Sequence, residues 1–393
     1  MTRGRLSTSR EPGTGRGAKR AALLNLTLLA AALLVGAAAL EGFLRLFPQF
    51  LPETAQVRLM WAEVGAAERA ARGGMIRTDP ELGFRYAPDH AGRIARADLA
   101  FSFRTDSHGF RNAGPWPQTS EIVLVGDSMA FGYGVEDEEA WASLVRREMG
   151  GGLVNLALPG MAPQQYLRAL EAYGLGLQPK LVLFALFPGN DLVDAANFQG
   201  WLDADRPGSY LDWGFRDRSG GLESVLEHSH LFWFLRESRR MLGARAGSVT
   251  LQLDDGPLQL APALYAPSDE ELGENAPSFN LVVQTVERAQ RLADRHGADF
   301  LVLLVPTKEH VYLPAGEDDP LPRIERLARA LAARGIDTLD LTPALREAAR
   351  RGERVYFEID GHPNRRGNEL IARAVTERLQ ARPPAGQALA SGG

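Results

Sequence analysis

The sequence predicts an α/β protein: a three-layer α/β/α sandwich around a mainly parallel five-stranded sheet, preceded by one transmembrane helix. Five short apolar runs predict the sheet, because strands that are buried on both faces read as continuous hydrophobic stretches. Amphipathic stretches separate these runs, and strands that alternate with helices form parallel sheets through right-handed crossovers. An uncharged run of twenty residues near the N-terminus predicts the membrane helix.

The alternation begins at residue 121. We expect strands at 122–125, 153–158, 181–187, 300–305 and 336–341. We expect helices at 137–149, 163–175, 278–296, 321–334 and 365–381. Residues 192–277 lack the alternation and form an insertion, in which "LQLDDGPLQL" predicts a hairpin that turns at Asp255-Gly256. Because the insertion follows a strand's carboxyl end, where open α/β sheets bind ligands, it is a candidate lid.

The N-terminal apolar run, residues 21–40, is long enough to span a bilayer as a helix. Six basic residues and one acidic residue precede it, so the positive-inside rule places the N-terminus in the cytoplasm. The chain is then a single-pass protein of the inner (cytoplasmic) membrane, with its main domain periplasmic or otherwise extracytoplasmic. A cleaved signal peptide that ends near Ala37-Ala38-Ala39 is the alternative, and it exports the domain equally.

These patterns divide the chain into five parts. We expect a disordered cytoplasmic tail at 1–18, a transmembrane anchor at 19–42, a membrane-proximal helix with extended segments at 43–119, the main domain at 120–382 and a disordered tail at 383–393. The chain has a net charge of −5 and no cysteine. Disulfides and thiol chemistry are therefore excluded, and nucleic acid is not an expected partner. The "HSH" at His228–His230 lacks an acidic third ligand at a fixed spacing, so we expect no metal site.

Ser128 follows the first predicted strand in "EIVLVGDSMAFGYGV". Gly, Asp and Ser are ordinary turn residues, so this stretch alone favours a structural turn. At a strand's carboxyl end, however, Ser128 would also lie in the ligand-binding crevice. A serine becomes a nucleophile when a histidine removes its proton and a carboxylate orients that histidine.

Asp360 and His362 in "EIDGHPNRRGNELIARAV" supply such a pair beyond the last predicted strand. A helix cap at the start of the last helix is the alternative interpretation of this segment, and the two do not exclude each other. Two other strand ends supply hydrogen-bond donors for an oxyanion: Gly160 in "NLALPG" and Asn190 in "FPGND". The backbone N–H of Ser128 is the third candidate donor.

The motifs "GDS", "NLALPG", "GND" and "DGH" occur here in the order and spacing of the SGNH/GDSL hydrolase superfamily. The chain resembles that superfamily over roughly residues 121–382, and its name letters fall on Ser128, Gly160, Asn190 and His362. The resemblance implies a flavodoxin-like SGNH hydrolase fold, a Ser128–His362–Asp360 triad and no cofactor. Gly126-x-Ser128-x-Ala130 also resembles the nucleophile elbow of α/β-hydrolases, but there the acid and base lie on separate loops.

One feature departs from the common pattern. Many members place the aspartate three residues before the histidine, where this chain has Ile359. The Asp-x-His spacing of Asp360 resembles the alginate O-acetyltransferase-like branch, as does "VPTKEHVYLPAG" at 305–316. The anchor and the upstream "ELGFRY…DSHGFRN" are similar to bacterial membrane-anchored members.

The resemblance implies an exported, membrane-anchored serine esterase that forms an acyl-enzyme and deacetylates a glycan or envelope polysaccharide. An O-acetyltransferase with the same triad is the alternative, and a non-catalytic glycan-binding or assembly subunit is a second one. The expected partners are an acylated glycan or other ester, the membrane and polysaccharide-assembly proteins. Asp127, Asp191 and Lys308 are candidate substrate contacts, with a solvated loop lysine as the alternative for Lys308.

Overall fold

The central feature of the fold is a parallel sheet, seen in a computed structural model of the chain. The structure describes residues 15–47, 50–51, 55, 59, 75–95, 98–206, 210, 226, 229–243, 249–260, 276–313 and 323–382. The predicted tail at 383–393, most of the tail at 1–18, most of the membrane-proximal helix and much of the insertion lie outside these residues.

The strands within the described residues are β1 (Ile76–Arg77), β2 (Arg85–Tyr86), β3 (Ala91–Ala95), β4 (Ala100–Arg104), β5 (Ile122–Val125), β6 (Leu153–Asn155), β7 (Leu181–Leu186), β8 (Val249–Leu253), β9 (Gly256–Leu260), β10 (Asp299–Leu304) and β11 (Thr338–Asp340). The α-helices there are α1 (Gly15–Leu46), α2 (Ser128–Phe131), α3 (Trp141–Glu148), α4 (Pro163–Ala169), α5 (Asp191–Asp203), α6 (His230–Gly243), α7 (Pro277–Arg295), α8 (Lys308–Tyr312), α9 (Arg323–Ala332), α10 (Thr342–Arg350) and α11 (Arg365–Gln380).

Five strands form the parallel sheet in the order β6–β5–β7–β10–β11. All four residues of β5 and all six of β7 are buried, as their continuous hydrophobicity predicts. The order is the flavodoxin-like 2-1-3-4-5 arrangement, which confirms the predicted fold class. Its switch point, where such sheets bind ligands, lies between β5 and β7.

The helices pack in two groups. In one group α11 contacts α3 and α10, and α10 contacts α8; in the other, α7 contacts α4, α5 and α9. Each group forms one layer over the sheet, because the buried faces of amphipathic helices need a partner. Helix α10 is not predicted by the periodicity, and it begins where Pro343 occupies the first helical turn.

Residues 75–95 and 98–112 also contribute to the main core. Their aromatic side chains Phe84, Phe101, Phe103 and Phe110 are buried in the same cluster as the central strands. Strands β3 and β4 form an antiparallel hairpin there. The boundary expected between 119 and 120 stays a prediction, although these contacts tie the upstream segment to the sheet.

The insertion contributes part of α5, helix α6 and the predicted hairpin β8–β9 to the described residues. The hairpin turn consists of Asp254 and Asp255, one residue earlier than expected, and Gly256 begins the second strand at φ +111°. Glycine meets this left-handed conformation without steric cost.

The apolar helix near the N-terminus has a candidate membrane span at Arg20–Leu46, with a mean hydropathy of 2.3. Its C-terminal end contacts helix α6 of the insertion. The Glu41 carboxylate accepts hydrogen bonds from Ser229 Oγ and from the backbone N–H groups of His230 and Leu231, at 2.9, 3.1 and 2.7 Å. Trp233 packs nearby against Leu44. The insertion is therefore attached to the end of the candidate span.

Candidate active site

Ser128 begins the short helix α2, three residues after the end of β5. Asp127 caps this helix, since its Oδ1 accepts from the backbone N–H of Met129 at 2.9 Å. The residue before Asp127 is Gly126, where a side chain does not fit. A Cβ at this position would lie 2.6 Å from the Cβ of Ala130. The turn thus presents Ser128 at the carboxyl end of β5, next to the switch point of the sheet.

His362 reaches Ser128 from the opposite end of the sequence. Its Nε2 lies 2.7 Å from Ser128 Oγ, and its Nδ1 lies 2.6 Å from Asp360 Oδ1. A carboxylate only accepts hydrogen bonds, so Nδ1 carries the proton and Nε2 is the acceptor for the serine hydroxyl. Asp360 is fully buried, whereas Ser128 is partly exposed. The structure therefore brings together the three residues predicted as a triad, in the geometry that general-base activation needs.

The Asp–His loop, residues 356–363, has its own internal hydrogen bonds. Phe357 donates its backbone N–H to the carbonyl of His362 at 3.1 Å, and Asp360 Oδ1 also accepts the backbone N–H of His362 at 2.9 Å. The ring of Tyr133 packs on the imidazole, with 4.7 Å between ring centroids. Asn364 caps helix α11 directly after the loop, accepting from the N–H of Gly367 at 3.0 Å. This segment therefore provides both a helix cap, on Asn364, and the Asp360–His362 pair of the triad.

The candidate oxyanion donors come from the loops after β6 and β7. Leu158 donates its N–H to the carbonyl of Gly126 at 3.4 Å, which places the Gly160 loop beside the nucleophile turn. Gly160 is exposed at φ +82°, and no described atom lies within 4 Å of the position that a Cβ would take. Asn190 donates its side-chain N–H to Asp127 Oδ2 at 3.2 Å. All three donors belong to segments that meet at the Ser128 turn, and their role stays a prediction.

Asp127 and Asp191 are buried, which corrects the expectation that they contact substrate. Asp191 accepts the hydroxyl of Tyr166 at 2.5 Å and the N–H of Phe187 at 2.6 Å. Burial raises the pKa of Asp127, against the opposing effect of the Met129 N–H, and burial together with the Asp127 charge raises the pKa of Asp191 well above its usual range. The Asp127 carboxyl group joins the nucleophile turn to the loop after β7. The Asp191 carboxyl group joins helix α4 to the end of β7.

Lys308 is also buried, with 2 % of its surface exposed, so it is neither a solvated loop lysine nor a substrate contact. Its Nζ donates to the backbone carbonyls of Glu358, Ile359 and Asp360, at 3.2, 2.7 and 3.3 Å. Thr307 caps the short helix that Lys308 begins. The lysine therefore contacts the Asp–His loop rather than the surface of the site.

Sequence reasoning missed two contacts of this site. Asp98 accepts the backbone N–H groups of Ile359 and Asp360. Arg111 donates to the carbonyls of Phe131, the last residue of the nucleophile helix, and of Gly132 and Val135, which follow it. Nothing in the sequence near Asp98 indicates this contact. The "GFRN" motif around Arg111 gave a signal, but its link to the serine is visible only in three dimensions.

Comparison with known proteins gives a match to one family model. Residues 265–392, about a third of the chain, match the family described as ALGX, the SGNH hydrolase-like domain of the acetyltransferase AlgX. This match contains Lys308, Asp360 and His362, whereas Ser128 lies outside it. No curated protein matches the sequence.

Solved structures of GDSL proteins are similar to this chain at low identity. A lipolytic protein of the G-D-S-L family from Desulfitobacterium hafniense has 14% identity and a TM-score of 0.36, covering 66% of this chain and 99% of that chain. A member of the same family from Veillonella parvula has 17% identity and a TM-score of 0.38, covering 67% and 100%. The psychrotrophic esterase EstA from a Pseudoalteromonas species has 12% identity and a TM-score of 0.34, covering 66% and 97%.

The family-model match, the strand order of the sheet and the four motifs near the end of β5 agree with one another. Over residues 265–392 the chain matches the SGNH hydrolase-like domain family, and the fold and the Ser128–His362–Asp360 geometry around that match are those of an esterase or O-acyltransferase.

Proposed function

We propose that the protein is an exported, membrane-anchored serine esterase that removes acetyl groups from a glycan or envelope polysaccharide. The observation that carries the proposal is the contact of 2.7 Å between His362 Nε2 and Ser128 Oγ, together with Asp360 on the other imidazole nitrogen. This arrangement activates a serine for attack on an ester carbonyl.

The reaction follows from the hydrogen bonds. Ser128 Oγ attacks the acetyl carbonyl while His362 Nε2 takes the hydroxyl proton, and the buried Asp360 carboxylate stabilises the imidazolium that forms. The N–H groups of Ser128, Gly160 and Asn190 bind the oxyanion of the tetrahedral intermediate. His362 then donates its proton to the leaving sugar oxygen, which leaves an acetyl–serine ester. Water, deprotonated by His362, releases acetate and restores the serine.

Among the described residues, the exposure of the site favours water as the acceptor. Ser128 is partly exposed, and the surroundings of Gly160 are open among the described residues. Water can therefore reach the acetyl–serine ester from this side.

An O-acetyltransferase is the second candidate, and the family match favours it. The matched family is described by an acetyltransferase, and the matched residues contain the Asp-x-His motif. In this reaction a sugar hydroxyl replaces water, and His362 deprotonates that hydroxyl instead. The chemistry before the acetyl–serine ester is the same for both candidates.

For localisation, we propose that the helix at Arg20–Leu46 anchors the chain in the inner membrane with its N-terminus in the cytoplasm. The apolar length of this helix and the basic residues before it support this orientation. The domain that contains the triad would then act on the extracytoplasmic side.

The first experiment labels the full-length chain in detergent with a fluorophosphonate probe, using Ser128→Ala as the matched control. Labelling that disappears in Ser128→Ala supports acyl-enzyme chemistry, whereas no Ser128-dependent labelling favours a non-catalytic subunit. Acetate release from acetylated glycan is then measured with and without an acceptor glycan. Release that does not depend on the acceptor supports the esterase, and turnover only with acceptor supports the transferase.

A further inference from the structure

Two side chains of opposite charge hold the Asp–His loop from outside the triad. Lys308 Nζ donates to the carbonyls of Glu358, Ile359 and Asp360. Asp98 Oδ2 accepts the N–H groups of Ile359 and Asp360, at 2.7 and 2.9 Å. The same short piece of backbone is thus bound through its carbonyl groups by the lysine and through its amide groups by the aspartate.

Burying the Lys308 ammonium group costs free energy, which indicates that its contact with the Asp–His loop is specific. An ammonium group in the protein interior is unfavourable unless it is well hydrogen-bonded, and three carbonyl oxygens provide this bonding here. Burial lowers the pKa of Lys308, although the nearby Glu309 and Asp360 carboxylates oppose that effect. The chain contains only two other lysines, of which Lys180 is exposed and pairs with Glu121.

Asp98 comes from a distant part of the chain. It lies between strands β3 and β4, in the segment upstream of the sheet, and reaches a loop more than 250 residues later. Both amides of the loop share one carboxylate oxygen, Oδ2. The upstream hairpin is therefore joined directly to the acid residue of the triad.

The position of this backbone sets the geometry of the triad. Asp360 carries the oxygen that binds His362 Nδ1 at 2.6 Å, and the imidazole in turn lies 2.7 Å from Ser128 Oγ. Residues 357–362 belong to no helix or strand, so regular secondary structure does not fix them. A displacement of about 1 Å at a reacting group can lower a rate about 100-fold.

We propose that Lys308 and Asp98 are positioning residues that hold Asp360 and His362 in line with Ser128. They act through the loop backbone and do not contact the substrate. This inference rests on the proposed acyl-enzyme chemistry at Ser128, which it extends to residues outside the triad.

The test measures the rate of fluorophosphonate labelling at Ser128 in the full-length chain in detergent. From these rates we obtain a binding constant for the probe and a maximal inactivation rate. We compare Lys308→Met, Asp98→Ala and Asp98→Asn, with Lys180→Met as the control that removes an exposed lysine. Lys308→Met and Asp98→Ala are expected to lower the maximal rate about 10- to 100-fold with an unchanged binding constant, because alignment is lost and the probe site is not. Asp98→Asn should retain most of the rate, since its amide oxygen accepts the same two N–H groups, and Lys180→Met should equal the wild type.

Thermal unfolding of each variant separates alignment from folding. A purely structural role would lower the unfolding temperature and leave the maximal labelling rate of the folded protein unchanged, and that result overturns the proposal. Equal losses in Asp98→Asn and Asp98→Ala would also overturn it, because the hydrogen bonds would then not be the cause. If Lys308→Met does not fold, the two Asp98 variants decide alone. Absence of Ser128-dependent labelling in the wild type overturns the proposed function itself, whereas normal labelling of the wild type and all folded variants overturns only the positioning role.

Discussion

The side-chain amide of Asn190 donates to Asp127 Oδ2 across 3.2 Å, while Oδ1 of the same carboxylate accepts the N–H of Met129. One buried carboxylate therefore joins the loop after β7 to the turn that presents Ser128. The amide nitrogen of Asn190 carries two N–H groups, and the bond to Asp127 uses one of them. We expect the second N–H to face the reacting carbonyl, where an oxyanion donor is needed.

Asn190→Ala is expected to lower kcat for an acetyl ester by about 10²–10³, which is the usual effect of removing one oxyanion donor. The KM should change much less, because the donor acts mainly on the charge that develops in the transition state. Steady-state kinetics with p-nitrophenyl acetate measure both constants. Asn280→Ala, an exposed asparagine on helix α7, is the control. Unchanged kcat in Asn190→Ala would remove Asn190 from the oxyanion site.

Asp360→Asn is expected to lower kcat/KM by about 10⁴, as replacing the triad aspartate does in serine proteases. The asparagine can turn its N–H₂ group toward His362 Nδ1, which then becomes the acceptor and leaves the proton on Nε2. That nitrogen can no longer accept the proton of Ser128. The measurement is kcat/KM for the same ester, with circular dichroism to show that the variant folds. A folded variant within tenfold of the wild type would exclude Asp360 as the orienting acid.

The fold was largely predictable because buried parallel strands leave a strong local pattern. The run Ile122–Val125 has the observed limits of β5, and the crossover rule gives the layers of helices over the parallel sheet. The triad was predictable as a set of motifs, because Ser128, Asp360 and His362 each stand beside a strand end or a helix start. The contacts of Lys308 and Asp98 with the Asp–His loop were not predictable. Both side chains bind backbone groups, and backbone contacts between distant segments leave no pattern in side-chain identity. The burial of Asp127 and Asp191 was missed for a related reason: residues at a strand end can point either into the crevice or beneath it.

Gly126→Ala should destabilise the protein by about 1–3 kcal/mol, as overpacking of a core does. The added methyl would lie 2.6 Å from Ala130 Cβ and 3.2 Å from Ala185 Cβ, so the nucleophile turn or β7 must shift. Urea unfolding measures the free energy, and labelling at Ser128 should slow in parallel. Gly176→Ala is the matched control, since no described atom lies within 4 Å of its Cβ position. Equal stability of the two variants would contradict this packing.

The stability of the fold should depend on pH through Asp194. Burial and the charge of Asp127 raise the pKa of Asp194 to about 8 from its ordinary 3.8. A group whose folded pKa is raised contributes stability that is fully present below the unfolded value and is lost as pH rises through the folded value. The unfolding temperature of the wild type should therefore fall between pH 4 and pH 8 relative to that of Asp194→Asn, whose side chain does not titrate. Thermal scans across that range measure the difference, with the exposed Asp203→Asn on the same helix as control. A difference that is constant with pH would show that Asp194 ionises normally in the folded state.

The contact of Glu41 with helix α6 predicts that the insertion is attached to the end of the anchor helix. Glu41→Ala removes the acceptor for the N–H groups of His230 and Leu231, which begin that helix. Loss of a helix cap costs about 1 kcal/mol, so hydrogen exchange at these amides should become about fivefold faster. Exchange measured by mass spectrometry on the full-length chain in detergent tests this. Arg45→Ala is the control, because it removes the 2.7 Å ion pair with Glu41 and leaves the carboxylate acceptor in place, so exchange at 230–231 in this variant should stay close to that of the wild type. Equal exchange in Glu41→Ala and the wild type would mean that the carboxylate does not hold the helix, and would leave the packing of Trp233 against Leu44 as the remaining contact argued from the described residues.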